Sequence, residues 1–135
     1  MNLLVVNGPN LNLLGTRETQ IYGNVTFDAF FADLKAATQH QLTYFQSNVE
    51  GELINCLQAA QVDGIILNAG GYTHTSVALR DCIAAISVPV IEVHISNIAG
   101  RERFRHDSLL SPVCKGCIFG FGLAGLSKSQ SVIAG

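Results

Sequence analysis

The chain has 135 residues, 48% hydrophobic and 13% charged, a size and composition that suit one folded domain with its own core and exclude disorder. A net charge of −2 with no long basic run argues against nucleic acid as a partner, and no apolar run reaches bilayer-spanning length. One domain spanning 1–135 is expected. The start, Met1-Asn2-Leu3-Leu4, has no charged n-region, so the expected location is cytoplasmic. So small a share of charge also predicts that other copies of the chain cover much of the outer surface.

Asn2 to Val6 reads as a first, central strand, ended by the turn residues Asn7-Gly8-Pro9-Asn10. Leu11 to Gly23 reads as a long loop, a lid or binding loop hinged near Gly15 and Gly23, or else a mobile insertion. Thr26 is a good N-cap, and Phe27, Phe30, Phe31 and Leu34 make an inward helical stripe. Leu42 to Gln46 is a second strand. Ser47 and Glu50 have the spacing of a capping box, opening a second helix with the stripe Leu53, Ile54, Leu57 and Ala60.

Gly64 to Asn68 is short and apolar, a buried third strand, and the paired glycines Gly70 and Gly71 after it allow close approach of a ligand. Thr75 or Ser76 caps the next helix, whose stripe is Leu79, Cys82, Ile83 and Ile86, with Arg80 and Asp81 on the face away from the core. Pro89 to Asn97 is a fourth strand, followed by a basic turn at Arg101 to His106 and a loop at Ser111-Pro112. Ile118 to Phe121 reads as a last strand and Leu123 to Ala134 as a weak, serine-rich helix. A β-α repeat of about five strands predicts a doubly wound α/β sandwich with a parallel sheet, whose ligand sits at the carboxyl ends of the strands.

The fourth strand carries the most chemistry. Alternation places Val93 and Ile95 on one face and Glu92, His94 and Ser96 on the other. That pattern fits a half-wet antiparallel strand; in a covered parallel sheet it buries two ionisable groups, which then have to be paired. An acid two residues from a histidine on one face fixes the tautomer of the imidazole and raises its basicity. Asn7, Asn10 and Asn12 follow strand one, Asn68, Thr73 and His74 follow strand three, and His94, Ser96 and Asn97 end strand four. There is no G-x-G-x-x-G after the first strand and no G-x-S-x-G elbow, and asparagine stands where a magnesium site would use aspartate. Cys114-Lys115-Gly116-Cys117 has C-x-x-C spacing but precedes an apolar run instead of opening a helix, and no second ligand pair matches it. These thiols are therefore read as reduced and structural. What remains suits acid–base chemistry on an uncharged polyol or ketone with one carboxylate, without metal or cofactor.

Four ordered stretches resemble the type II 3-dehydroquinate dehydratases. They are Asn7-Gly8-Pro9-Asn10-Leu11-Asn12; Leu14-Gly15-Thr16-Arg17-Glu18 with Tyr22-Gly23; Asn68-Ala69-Gly70-Gly71-Tyr72-Thr73-His74-Thr75-Ser76; and Ile91-Glu92-Val93-His94-Ile95-Ser96-Asn97. Arg101-Glu102-Arg103-Phe104-Arg105 with Ser108 extends the likeness, which runs from Asn2 to about Gly122. The resemblance implies a flavodoxin-like fold, a dodecamer made as a tetramer of trimers, and dehydration of 3-dehydroquinate to 3-dehydroshikimate with no metal, cofactor or Schiff base. It implies Tyr22 as the base, with Arg17 favouring its phenolate, and Asn12 holding a water against an enolate. His94 would be the acid, oriented by Glu92. Asn68, His74 and Arg105 would hold the substrate hydroxyls, the amides of Ile95 and Ser96 its carboxylate, and Asp81 would reach a neighbouring subunit's site. Thr19 departs from the proline common in that lid, which implies a looser loop; Ala99, Gly100 and Arg103 also depart. A flavodoxin-like flavin or nucleotide module is the alternative, though Asn7-Gly8-Pro9-Asn10 supplies neither an aromatic wall nor a hydroxyl-rich phosphate loop. A structural assembly protein with a vestigial site is a further one.

Overall fold

Leu3 to Val6, Ile65 to Leu67, and Val90, Ile91 and Val93 are all buried, so these strands have no face to leave in water and must be covered twice. The computed structural model, which describes residues 1–16 and 25–134, does this with one parallel sheet between two helical layers. The strands are β1 (Asn2–Asn7), β2 (Gln41–Gln46), β3 (Gly64–Asn68), β4 (Val90–His94) and β5 (Gly116–Phe119), and the helices are α1 (Phe27–Ala37), α2 (Glu50–Ala59), α3 (Val77–Ala85) and α4 (Ala124–Ala134). The sheet order is β2-β1-β3-β4-β5 with every pairing parallel. Its order reverses beside β1, so the first crossover goes one way and the later ones the other. That is the doubly wound sandwich expected from the β-α repeat, in the flavodoxin-like order that the resemblance implied.

Alternation divides the core. Leu3, Val5, Ile66, Ile91 and Val93 face α1 and α4, where Phe27, Leu34, Leu126 and Ile133 meet them. Leu4, Val6, Ile65, Leu67 and Val90 face α2 and α3, where Leu53, Leu57, Leu79 and Ile83 meet them. The caps follow local chemistry: Thr26 accepts from the amide of Ala29, and Ser76 from the amide of Leu79. Among the described residues no helix is long and apolar enough to cross a membrane.

Two local expectations are corrected, at Ser47 and at the last strand. Ser47 and Glu50 do not form a capping box: α2 starts at Glu50 with Val49 as its N-cap, and the Ser47 hydroxyl accepts from the amide of Val49 and donates to Glu52 instead. Arg80, expected on the face of α3 away from the core, is half-buried there, its guanidinium donating to the Leu109 carbonyl at 2.9 Å. The last strand begins two residues earlier than Ile118 and ends at Phe119. Gly116 and Cys117 pair with Ile91 and Glu92, while Gly120 and Gly122 take left-handed angles (φ 93 and 58) that turn the chain out of the ladder.

Candidate active site

The carboxyl ends of β1, β2 and β3 lie level, with Asn7 in register with both Gln46 and Asn68. The loops after them interlock by backbone contact. The Gly8 amide donates to the Asn68 carbonyl at 2.7 Å, and a Cβ at position 8 would stand 2.4 Å from the carbonyl oxygen of Ala69, so only glycine fits. Asn10 holds a left-handed φ of 71, and its amide donates to the side chain of Asn48 at 3.0 Å. The Gly70 amide donates to Asn68 Oδ1 at 3.1 Å. This fixes the orientation of the Asn68 amide, and among the described residues its NH2 group has no partner, on a side chain that lines the cleft.

The floor of that cleft is the end of β4. Glu92 is fully buried and His94 is 5% exposed. The imidazole Nε2 of His94 bonds to Glu92 Oε2, and Ser108 donates to both carboxylate oxygens at 3.0 and 2.8 Å. Ser111 donates to Oε1. Burial pushes the Glu92 carboxyl up, but the bonds from His94 and Ser111, the His94 charge and the Ser108 bond together outweigh it and hold the group below the usual carboxylate range. Glu92 is therefore an anion at neutral pH with each oxygen occupied. It fixes the tautomer of His94 by taking Nε2–H, so the other ring nitrogen, Nδ1, is the one free to exchange a proton.

His74 lies alongside. Its Nδ1 donates to the Asp107 carbonyl at 2.7 Å, and its ring stacks near His94 with centroids 6.4 Å apart. Asn68, His74, His94, Ile95, Ser96 and Arg105 all line the one cleft. Arg105 is paired with Glu102 at 2.5 Å, which holds the Glu102 carboxyl below its usual range. Asn12 is exposed and does not line the cleft; its side-chain oxygen meets Gln46 at 3.5 Å, one residue beyond Leu11, which does line it. Asp81 is exposed on α3, away from the cleft. Arg17 and Tyr22 lie outside the described residues, as does most of the expected lid.

Two kinds of residue escaped sequence reasoning. Arg101 lines the cleft, with its guanidinium 3.5 Å from the Ser96 hydroxyl. Its place in a basic turn was the available signal. Ser111 reaches Glu92 from 19 positions away, a separation with no periodic signature. The four cysteines are free thiols. Burial, reinforced by the Glu92 charge, pushes Cys114 up to about 12 and Cys117 up to about 11, which removes the thiolate a redox C-x-x-C needs.

A doubly wound sheet with a buried carboxylate–histidine pair at the floor of a polar cleft defines a flavodoxin-like α/β protein with a small-ligand site. Comparison with known proteins narrows this. Residues 1–134 match the family described as Dehydroquinase class II. A 3-dehydroquinate dehydratase of an Exiguobacterium species is 56% identical over 98% of this chain and 94% of its own length. One from Campylobacter jejuni subsp. jejuni is 53% identical over 90% of this chain and 80% of its own. The crystal structure of a type II dehydroquinase from Butyrivibrio crossotus superimposes with a TM-score of 0.95 at 43% identity, covering 100% of this chain and 98% of that one. The chain belongs to the class II dehydroquinase family.

Proposed function

We propose that this chain is a single catalytic domain that dehydrates 3-dehydroquinate to 3-dehydroshikimate, a step of the shikimate pathway of aromatic amino-acid biosynthesis, in the cytoplasm. The observation that carries the reading is the buried Glu92–His94 pair, presented to a cleft lined by neutral and cationic groups. Such a cleft suits a hydroxylated ring with one carboxylate. Loss of a poor leaving group such as hydroxide needs a proton delivered as the C–O bond breaks. His94 delivers it from Nδ1, and Glu92 stabilises the imidazolium that precedes delivery, because the carboxylate is held ionised.

The base is Tyr22, with Arg17, five positions earlier in the sequence, favouring the phenolate; both roles follow from the family likeness. Tyr22 removes the C2 proton, electrons move into the adjacent carbonyl to give an enolate, and a water on Asn12 stabilises it. The enolate then collapses, expelling the hydroxyl that His94 protonates as water. Base and acid act from opposite faces, an anti elimination. Asn68, His74 and Arg105 hold the substrate hydroxyls, and the amides of Ile95 and Ser96 hold its carboxylate. Asp81, exposed on α3, completes a neighbouring subunit's site within a trimer, four of which make the dodecamer. The chemistry asks nothing of a metal, a cofactor or a lysine: Lys35, Lys115 and Lys128 do not line the cleft. Adding 3-dehydroquinate to the purified chain should produce the absorbance of a conjugated enone. A chain that binds no such substrate and produces no enone would overturn the reading.

A further inference from the structure

Cys117 has no part in the reaction above, yet it stands where two other ligating side chains converge. It is in register with Glu92 across the β4–β5 ladder. A carboxylate oxygen of Glu92, a ring nitrogen of His94 and the sulfur of Cys117 all lie within 4.8 Å of one another. Glu92 and His94 are buried and Cys117 is half-buried. No other three His, Cys, Asp or Glu side chains among the described residues converge this way.

We propose that this cluster is an inhibitory binding site for a thiophilic divalent cation of the zinc class, held by Glu92, His94 and Cys117. The donor set selects the ion. Imidazole, carboxylate and thiolate together suit Zn2+ and its neighbours, whereas Mg2+ and Ca2+ take all-oxygen shells. Ligand atoms on a tetrahedral zinc ion stand roughly 3.3–3.7 Å apart, so the cluster closes on the ion with small side-chain rotations. Charge balance agrees: a divalent ion with one carboxylate, one thiolate and a neutral imidazole is neutral overall, the condition a buried site tolerates best. Binding forms metal–sulfur and metal–Nε2 bonds: it breaks S–H, whose proton passes to solvent, and the imidazole changes tautomer, losing the proton on Nε2 and taking one on Nδ1, with no change of oxidation state. His94 lines the cleft, which gives the ion its route of entry, and a water completes the four-coordinate shell.

The ion occupies the place of the proton that His94 and Glu92 share. With Nε2 bound to metal, His94 cannot become the imidazolium that protonates the leaving hydroxyl, so turnover stops. This inhibitory half rests on the assignment of His94 as the acid; the binding half does not. Ser108 and Ser111 continue to hold the Glu92 carboxylate and orient it toward the ion.

The test is a Co2+ titration of the purified full chain, followed by a Zn2+ titration of its turnover. The wild type should develop a near-ultraviolet thiolate-to-cobalt charge-transfer band that Zn2+ displaces. Cys117→Val and Cys117→Ala should fold, keep basal turnover and lose the band, whereas Cys114→Val keeps it. Outer-sphere partners of a metal alone are worth 10–100-fold in affinity, so removing the sulfur should raise the Zn2+ needed for half-inhibition at least about tenfold. Chelator should restore wild-type turnover. No band in the wild type, or a band that survives loss of Cys117, overturns the site. A band with undiminished turnover at saturating Zn2+ overturns the inhibitory role. If the chain has no dehydratase activity at all, the cobalt band still decides the site.

Discussion

Replacing Glu92 with glutamine keeps the shape of a fully buried polar group and removes its charge. In the native chain the carboxylate receives bonds from Ser108, Ser111 and His94. A hydrogen bond to a charged group is worth about 1.5–3 kcal/mol and a neutral one about 0.5–1.5. Glutamine offers one acceptor oxygen and one NH2, so at least one of the three donors faces an N–H. A serine hydroxyl can rotate to accept, but the imidazole can only switch tautomer. Two weakened bonds and one inverted bond imply a loss of about 2–4 kcal/mol, reduced by the charge no longer being buried. The pH dependence has a definite sign. Because folding lowers the Glu92 pKa, its stabilisation is complete above the ordinary carboxylate range and is lost as pH falls through the lowered value. The gap between wild type and Glu92→Gln in urea unfolding should thus be constant near neutrality and shrink in acid. Turnover should fall on the order of 10², since the imidazolium loses its counter-charge while the ring stays. A glutamine variant as stable and as fast as wild type across pH would refute the account of this pair.

Tyr22→Phe should fold, assemble and bind ligand normally while turnover falls by on the order of 10² to 10⁴, measured by stopped flow beside a ligand titration; lost affinity with preserved turnover would make Tyr22 a binding residue. Gly8→Ala should destabilise the chain by about 1–3 kcal/mol in thermal or urea unfolding, because the new Cβ overlaps the Ala69 carbonyl at 2.4 Å; an unchanged midpoint would show that the two loops move apart freely. Ultracentrifugation should find an assembly built from trimers, with Asp81→Ala lowering activity without dissociating it. A fully active monomer would remove Asp81 from the site.

The fold was legible where local chemistry and tertiary demand coincide. Gly64 to Asn68 is apolar on both faces and bounded by turn residues, and it forms a strand over that same range. The spacing of Glu92 and His94 foretold a shared face, and the continuous apolar neighbours foretold that the face is buried. The capping box at Ser47 was not formed, because a serine hydroxyl takes whichever carboxylate the helix turns toward it, here Glu52. The start of β5 was hidden because Gly116 has no intrinsic strand preference and is placed by pairing with Ile91. The surroundings of Glu92 were out of reach for the same reason. Ser108, Ser111 and Cys117 come from a loop and a neighbouring strand, and only the β4–β5 register brings them together. A C-x-x-C whose second cysteine faces another strand's acid and histidine cannot be found by ligand spacing along the chain.

The central claim is that His94 supplies the proton that lets the hydroxyl leave. Its most direct measurement follows enone formation from 3-dehydroquinate by wild type and His94→Ala side by side, with ligand binding titrated in both. The wild type should turn over, and the variant should bind while turning over at least 10²-fold more slowly, a larger loss than that of Glu92→Gln. Near-native turnover in His94→Ala would contradict the account and move the acid to another group lining the cleft.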